Sequence, residues 1–477
     1  MLSEWSLGVW PEAPSPLLAL AALAVAVLVS VHALLHKRDV GSAIGWIGLA
    51  WLSPLIGGAL YLIFGINRVR RRAHRLREDH APTAPGAAQG AAFDPEHRFA
   101  PLERAAGRIS GRVAEAGNAV RVFCNGDEAY PAMLEAIAGA RHSIALSSYI
   151  LRDDAAGGRF IDALIAAQRR GLAVRVLIDG IGGGFFRSPA YARLRRNGVP
   201  AGRFMHALQP WRRPVLNLRT HRKILAVDGR LAFAGGMNIA AQNLLAAAPP
   251  APVRDTHFRF DGPVVRQLVA AFAEDWSFEM DEDLAGDAWF PPLAPAGNAV
   301  ARVITSGPDQ DVEKIEFLIL EAIACARRSV RFMTPYFLPD ERLVTSLALA
   351  KIRGVAVDIV LPAQSDHPLI DWAMRAHVGP LLAEGCCIWR NPPPFDHSKI
   401  MVVDGEWCLI GSANWDIRSL RLNFELNVEV YDPALGARLE ALMQARRGGP
   451  LTRAELDARG LPTRLRDAAA RLLMPYV

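Results

Sequence analysis

Cysteine is scarce in this chain. Five thiols (Cys124, Cys325, Cys386, Cys387 and Cys408) occur in 477 residues, an odd number with no C-x-x-C spacing. That excludes a disulfide framework and a cysteine-type zinc site, and predicts buried thiols in a reducing compartment. No carboxylate cluster points to a metal either, so neither a metal nor another cofactor is expected. Positive charge is missing from most of the chain. The formal net charge is +6, and six arginines (Arg68, Arg70, Arg71, Arg72, Arg75 and Arg77) fall within residues 67–77. The remainder is close to neutral, which argues against a nucleic-acid groove and against nucleic acid as a partner.

Long apolar runs, by contrast, are present near the N-terminus. Residues 16–35 carry no fixed charge, and residues 43–66 form a second run that contains Pro54 and several glycines. Each is long enough for a hydrocarbon core of about 30 Å. A signal peptide fits the first run poorly, because residues 1–15 hold Glu4 and Glu12, lack a basic start, and a second run follows at once. Two membrane helices are expected; a re-entrant hairpin is the alternative that Pro54 keeps open. The arginine cluster after the second run outweighs Lys37 and Arg38 between the runs, and places everything behind it in the cytoplasm. Such a cluster also attracts anionic headgroups, at about 1 kcal/mol per residue near the surface. The segment that follows is rich in Ala, Pro and Gly, and residues 78–116 read as a linker. Just before the first histidine motif, Trp211, Arg212 and Arg213 offer a combination suited to a membrane interface or to an exposed basic loop.

The rest of the chain says everything twice. HRKILAVDGRLAFAGGMN (221–238) and HSKIMVVDGEWCLIGSAN (397–414) align without a gap, 176 residues apart. The order of predicted elements before each copy is also the same: helix, strand, helix, glycine stop, buried strand, helix. Strands alternating with helices predict an α/β fold with helices flanking the sheet. The repeats are taken as 117–290 and 291–477, packed face to face with pseudo-twofold symmetry.

Within each copy, K-I-x-x-V reads as a strand, Asp-Gly as a tight turn and the segment matching LAFAG (231–235) as the returning strand. Period two puts His221 and Lys223 on one face, and Gly235, Gly236 and Asn238 return to the same end. His397, Lys399, Gly411, Ser412 and Asn414 repeat the set. An ammonium and a carboxamide suit phosphate oxygens, and a histidine beside them can attack phosphorus or shuttle a proton. Two copies offer two histidines for one phosphate, hence a displacement in two steps. Asp228 and Asp404, each before a glycine, are turn formers or parts of the histidine network.

These residues resemble the phospholipase D superfamily, whose signature is H-x-K-x4-D followed by G-[GS]-x-N. Within it, the segments at 51–65, 254–265, 334–343 and 412–426 and the terminal RLLMPYV are similar to those of bacterial cardiolipin synthases, over nearly the whole chain. The resemblance implies two pseudo-twofold-related α/β/α repeats of phospholipase D type behind an N-terminal pair of membrane helices. It implies a multi-pass enzyme of the bacterial inner membrane with no metal cofactor. The phosphatidyl group of one phosphatidylglycerol would pass to a histidine and then to a second phosphatidylglycerol, releasing glycerol. By this carry-over His221 is the nucleophile and His397 the general acid and base, although symmetry leaves the reverse open. Lys223, Lys399, Asn238 and Asn414 would bind phosphate, with Gly236 and Ser412 beside them. Asp228 and Asp404 would join the catalytic set. Glu425 would orient His221 from across the interface, and Asp255 would mirror it for His397. Three departures stand out: Ser148 before Tyr149, Val253 before the RDTH segment, and an apolar, proline-rich stretch at 244–253. They bear on donor and acceptor identity. A phospholipase D-type hydrolase or nuclease, with water as acceptor, is the alternative function.

Overall fold

A computed structural model describes residues 16–37, 40–65, 93–94, 96–206, 218–307 and 313–472. The arginine cluster at 67–77 and Trp211, Arg212 and Arg213 lie outside the described residues. The chain divides into two compact units, Met1–Arg72 and Ala73–Val477.

In the first unit, helix Pro16–His36 has 21 residues, about 31 Å at 1.5 Å per residue. It is the one described helix long and apolar enough to cross a membrane. The expected second run does not form one uninterrupted span. Helix Val40–Leu52 stops at Ser53, and Pro54 opens a second helix, Pro54–Leu60, which ends in a π-helical turn, Tyr61–Gly65. Proline has no N–H to donate and its ring crowds the carbonyl four residues back, so the break falls where the sequence demands it. The pieces fold onto the first helix. Val29, Ala33, Ala50 and Tyr61 form a small core, and His32 Nδ1 meets the Tyr61 hydroxyl at 2.7 Å.

The second unit is built on one sheet. Its first repeat supplies β1 (Glu115–Cys124), β2 (Ser143–Ser148), β3 (Ala173–Asp179), β4 (Ala201–Phe204), β5 (Ile224–Val227), β6 (Leu231–Gly235), β7 (Val253–Arg254) and β8 (Thr256–Asp261). The second supplies β9 (Ala299–Ser306), β10 (Ser329–Met333), β11 (Phe337–Leu338), β12 (Ala356–Pro362), β13 (Cys387–Asn391), β14 (Phe395–Asp396), β15 (Ile400–Val403), β16 (Trp407–Gly411), β17 (Trp415–Asp416), β18 (Glu425–Tyr431) and β19 (Pro450–Leu451). Fifteen of these strands run in the order β19-β13-β12-β10-β15-β16-β18-β9-β1-β8-β6-β5-β2-β3-β4. The order reads the same outward from the central β9–β1 pair, apart from β19. The repeats are therefore joined edge to edge, and not face to face as expected. The antiparallel pairing of β1 with β9 lets two edges satisfy each other's backbone groups.

Every residue of β2, β5, β15 and β16 is buried, so both sheet faces are covered by helices. In the first repeat, Asn125–Gly139 and Gly157–Arg169 pack with Ile144, Leu146, Val174 and Val176 in one core. The second repeat's core gathers Ile315, Ile319, Phe332, Leu347, Ile359 and Trp407. It also takes Leu102 and Ala106 from helix Ala100–Ser110, which falls inside the segment expected to be a linker. The cysteines differ from expectation too. Cys386 and Cys408 are buried, Cys124 and Cys325 half-buried, and Cys387 is exposed.

A buried ion pair holds that helix to the seam. Arg302 on β9 donates to Glu429 on β18 at 2.5 Å and to the Glu103 carbonyl at 2.9 Å. Neither the Arg302 nor the Glu429 side chain has any solvent exposure. Removing one partner of such a pair strands the other charge, at about 3–5 kcal/mol. Glu429→Ala is therefore expected to lower unfolding stability by about that amount, read as a shifted denaturant midpoint of the detergent-solubilised protein. An unshifted midpoint would contradict this account of the seam.

Candidate active site

Each histidine motif folds as a β-hairpin. Asp228 and Gly229 have φ of +52° and +60°, and Asp404 and Gly405 +54° and +73°. Two successive positive φ values define a type I′ turn, whose twist suits paired strands and favours Asp-Gly. The histidine precedes the first strand of the hairpin and the aspartate follows it, so the two stand at opposite ends. Asp228 and Asp404, expected in the catalytic set, therefore stand away from the histidines. Asp228 accepts from the backbone N–H groups of Arg141, His142 and Ser143 at 2.9, 2.6 and 2.9 Å. Asp404 does the same for Arg327, Arg328 and Ser329 at 3.0, 2.7 and 2.8 Å, and also accepts from Arg98 at 3.1 Å. Each carboxylate ties its hairpin turn to the start of the neighbouring strand, β2 or β10.

The histidines are held by the opposite repeat. His221 N–H donates to the Phe424 carbonyl at 2.9 Å, and His397 N–H to the Arg254 carbonyl at 2.8 Å. The residue after each acceptor is a carboxylate. Glu425 meets His221 Nδ1 with both oxygens at 3.0 Å, and Asp255 Oδ2 meets His397 Nδ1 at 2.9 Å. The pairs cross, first-repeat histidine to second-repeat carboxylate and the reverse. The two imidazoles face each other edge-on, with centroids 6.3 Å apart.

Period two is visible around them. Lys223 Nζ donates to the His221 carbonyl at 2.7 Å, and Lys399 Nζ to the His397 carbonyl at 2.5 Å, which leaves each ammonium further hydrogens to give. The residues between point away: Arg222 pairs with Asp275 at 2.8 Å, and Ser398 Oγ contacts Thr256 Oγ1 at 2.9 Å. Asn238 and Asn414 are buried at the hairpin ends. Asn238 Oδ1 accepts from the Ile150 N–H at 3.3 Å, which leaves its NH2 free to face an anion. Gly236 and Ser412 stand at equivalent positions with different duties. A Cβ on Gly236 would lie 2.7 Å from Asp255 Oδ1, whereas Ser412 Oγ donates to Glu425 at 2.5 Å.

Burial sets the charges. It pushes His221 well below its ordinary 6.5, and the positive charges of Lys223 and Lys399 push the same way. His397 is lowered by burial and by Lys399, with Asp255 opposing. Burial brings Lys223 down to about 7 and Lys399 to about 8. Glu425 is raised by burial to about 7. Burial acts on Asp255 too, but its hydrogen bond to His397 and the charges of His397 and Lys399 hold it below the ordinary value. Burial thus disfavours the charged form of both imidazoles, and a carboxylate engages Nδ1 of each. Such a pair can supply a nucleophile and an acid to one phosphodiester.

Two tyrosines line the same space. The Tyr149 ring lies 5.0 Å from His221 and under Lys223 at 5.3 Å, and the Tyr336 ring lies 6.3 Å from His397. They occupy matching places after β2 and β10, so the paired SSYI and TPYF segments carried the signal. Asp179 was missed outright. Fully buried at the end of β3, it accepts from Ile181, Gly182 and Thr220 at 2.8, 2.7 and 2.8 Å and so fixes the residue before His221. No motif in the sequence marks it.

Paired H-x-K-x4-D hairpins with crossed histidine–carboxylate contacts define the phospholipase D-like class. The family described as "Cardiolipin synthase, PLD-like domain" matches residues 133–276 and 319–447. The chain is 31% identical to the cardiolipin synthase of Geobacillus kaustophilus over 97% of its length and 93% of that protein's. It is 33% identical to cardiolipin synthase A of Pseudomonas aeruginosa over 87% and 86%, and 31% identical to the major cardiolipin synthase of Bacillus subtilis over 93% and 95%. In fold it is similar to a phosphatidylserine synthase from Haemophilus influenzae, with TM-score 0.61 and 15% identity, covering 79% of this chain and all of that one. This chain belongs to the cardiolipin synthase family.

Because Asp228 holds three backbone N–H groups away from the histidines, Asp228→Ala is expected to act on stability. Leaving those donors unpaired costs about 1–3 kcal/mol each where they are buried. A lowered unfolding midpoint with substantial residual turnover is the expected result; loss of turnover with an unchanged midpoint would contradict it.

Proposed function

We propose that this protein makes cardiolipin by moving a phosphatidyl group from one phosphatidylglycerol to another. Family membership supports the reaction. The observation that carries the mechanism is the pair of crossed contacts, His221 to Glu425 and His397 to Asp255, with the rings 6.3 Å apart.

In the first step, Nε2 of neutral His221 attacks phosphorus, and the bond from phosphorus to the glycerol headgroup oxygen breaks. His397, which enters the step protonated on both nitrogens with Asp255 holding its Nδ1–H, gives that oxygen its Nε2 proton and glycerol leaves. In the second step, His397 takes the proton from the terminal hydroxyl of a second phosphatidylglycerol. That oxygen attacks phosphorus and the P–N bond to His221 breaks, which restores both imidazoles. Lys223, Lys399, Asn238 and Asn414 hold the phosphate oxygens and offset the charge that gathers there. Glu425 and Asp255 fix the tautomers by accepting from Nδ1. The choice of His221 as nucleophile is favoured by its electrostatics: burial and both lysines push it well below 6.5, whereas at His397 the hydrogen bond and charge of Asp255 oppose burial and the same two lysines.

The wider reading is a multi-pass protein of the bacterial inner membrane with its catalytic body in the cytoplasm. Helix Pro16–His36 supports one span, the broken helix after it is the second membrane-inserted element, and the arginines at 67–77 set the orientation.

Purified protein in vesicles of labelled phosphatidylglycerol is expected to yield cardiolipin and free glycerol in equal amounts by mass spectrometry. His221→Ala and His397→Ala are each expected to lower turnover on the order of 10³-fold or more. Phosphatidic acid as the sole product would make water the acceptor and overturn the transfer reading. The pH profile of kcat/KM gives a separate check. His221 must be neutral and is depressed, so the acid limb is expected below pH 6.5. His397 must hold the proton it gives and is depressed too, so the alkaline limb is expected to begin below 6.5, before Lys223 and Lys399 lose charge at about 7 and 8. Glu425→Gln keeps the shape but not the charge, and is expected to cost about 10³–10⁴ in turnover, as a misassigned tautomer does in other histidine–carboxylate pairs.

A further inference from the structure

Helix Leu461–Leu472 is turned the opposite way from an ordinary surface helix. Its inward face carries Asp467, with no exposure, and Ala470. Asp467 is held there by Arg459 and by Arg466 Nη2 at 2.7 Å. Its outward face carries Leu461, Leu465 and Leu472, 66%, 61% and 73% exposed, with Ala468 between them. The spacing i, i+4, i+7, i+11 makes one continuous stripe. At 100° per residue, Arg464 and Arg471 flank one side of it and Ala469 the other, while Arg466 turns toward the inward face. A helix kept only for packing would bury the leucines and expose the aspartate. Here ion pairs do the anchoring, and the apolar face is left free.

The helix is linked to the site through its neighbours. The helix packs on Pro368–His377 through Ala470, Ala373 and Leu338, with Arg466 stacked 4.3 Å over Trp372. That second helix begins next to Asp366, which accepts from the Tyr336 hydroxyl at 2.9 Å, and the Tyr336 ring is the one beside His397. The first repeat has its own apolar point at the same end of the sheet. Phe186 is 83% exposed on the loop after β3. That loop is pressed against Tyr149, since a Cβ on Gly182 would lie 2.4 Å from the Tyr149 carbonyl oxygen.

We propose that the Leu461, Leu465 and Leu472 stripe, with its flanking arginines and Phe186, is a second membrane contact that seats the mouth of the site on an anionic bilayer surface. An apolar stripe edged with arginine is the pattern of helices that lie in the lipid interface. Charge complementarity selects the occupant. Anionic headgroups match the arginine edge, whereas a second copy of the helix would bring arginine against arginine. The proposal rests on the reading that the substrate is a bilayer phospholipid, and explains how that lipid enters without leaving its leaflet.

The test uses the full chain with Cys387→Ser, which removes the exposed thiol, and Leu465→Cys bearing an environment-sensitive fluorophore. Asn197→Cys, exposed at the opposite end of the sheet, is the control. The probes are phosphatidylcholine vesicles with and without phosphatidylglycerol. The Leu465 label is expected to be quenched by acyl-chain quenchers, more strongly with phosphatidylglycerol, and shielded from aqueous iodide; the Asn197 label should show neither. A Leu465 label that iodide reaches freely would overturn the proposal. So would one shielded from iodide but untouched by the lipid quencher, because protein would then be covering the stripe. This arm needs no turnover, so it stands apart from any failure of the phosphatidyl-transfer reading. In an activity arm, Leu461→Ser with Leu465→Ser is expected to lower turnover on vesicles roughly tenfold and leave turnover on dispersed short-chain phosphatidylglycerol unchanged. Equal loss on both substrates would contradict an interfacial role.

Discussion

Everything at the site depends on one arrangement: each buried imidazole finds its carboxylate on the other repeat. A buried carboxylate without a partner is costly, and a histidine ring without an anchor has no fixed tautomer. Crossing the two pairs meets both needs together. His221 and Glu425 cannot meet unless the second repeat is in place, nor can His397 and Asp255 unless the first is. The duplication therefore yields one site. The sheet makes the crossing possible, because its two halves meet at β1 and β9 and bring both hairpins to the same centre.

Burial then does the chemical tuning. The same exclusion of water that lowers His221 also weakens the hold of Lys223 and Lys399 on their protons. An arriving phosphodiester supplies the negative charge that restores the lysines, so the site is electrostatically completed by its ligand. The two pairs are not equivalent. Glu425 is raised while Asp255 is lowered, and Ser412 bonds Glu425 where Gly236 only makes room for Asp255. These differences break the symmetry that the two motifs have in sequence, and give a physical basis for unequal roles.

Much of this was legible in the chain. Two ungapped copies of His, Lys, Asp, Gly and Asn named the hairpins, and period two put His221 with Lys223. Other features depend on three-dimensional context. Asp228 looked like part of the histidine network because it is in the motif; only the hairpin's length reveals that it works at the far end. Edge-to-edge joining could not be read, because β1 and β9 have no pattern that names their partner. Helix Ala100–Ser110 hid in a stretch read as linker, and its place in the second core is fixed by Arg302, 199 residues from Glu103. Pro54 did announce the break in the second apolar run, although hydropathy alone reads straight through it. Asp179 carries no motif at all, and its role appears only when Thr220 is brought beside the end of β3.

The central claim is that one phosphate is handled by two histidines with distinct duties, His221 bonding to phosphorus and His397 moving the proton. The most direct measurement uses a phosphatidyl ester of p-nitrophenol, whose leaving group needs no proton. With His397→Ala, rapid quenching and peptide mapping are predicted to find the phosphatidyl group accumulating on His221, because departure of p-nitrophenolate is unimpeded while activation of the acceptor hydroxyl is lost. With His221→Ala no adduct is predicted. An adduct on His397, or no adduct on either ring during measurable turnover, would contradict the account.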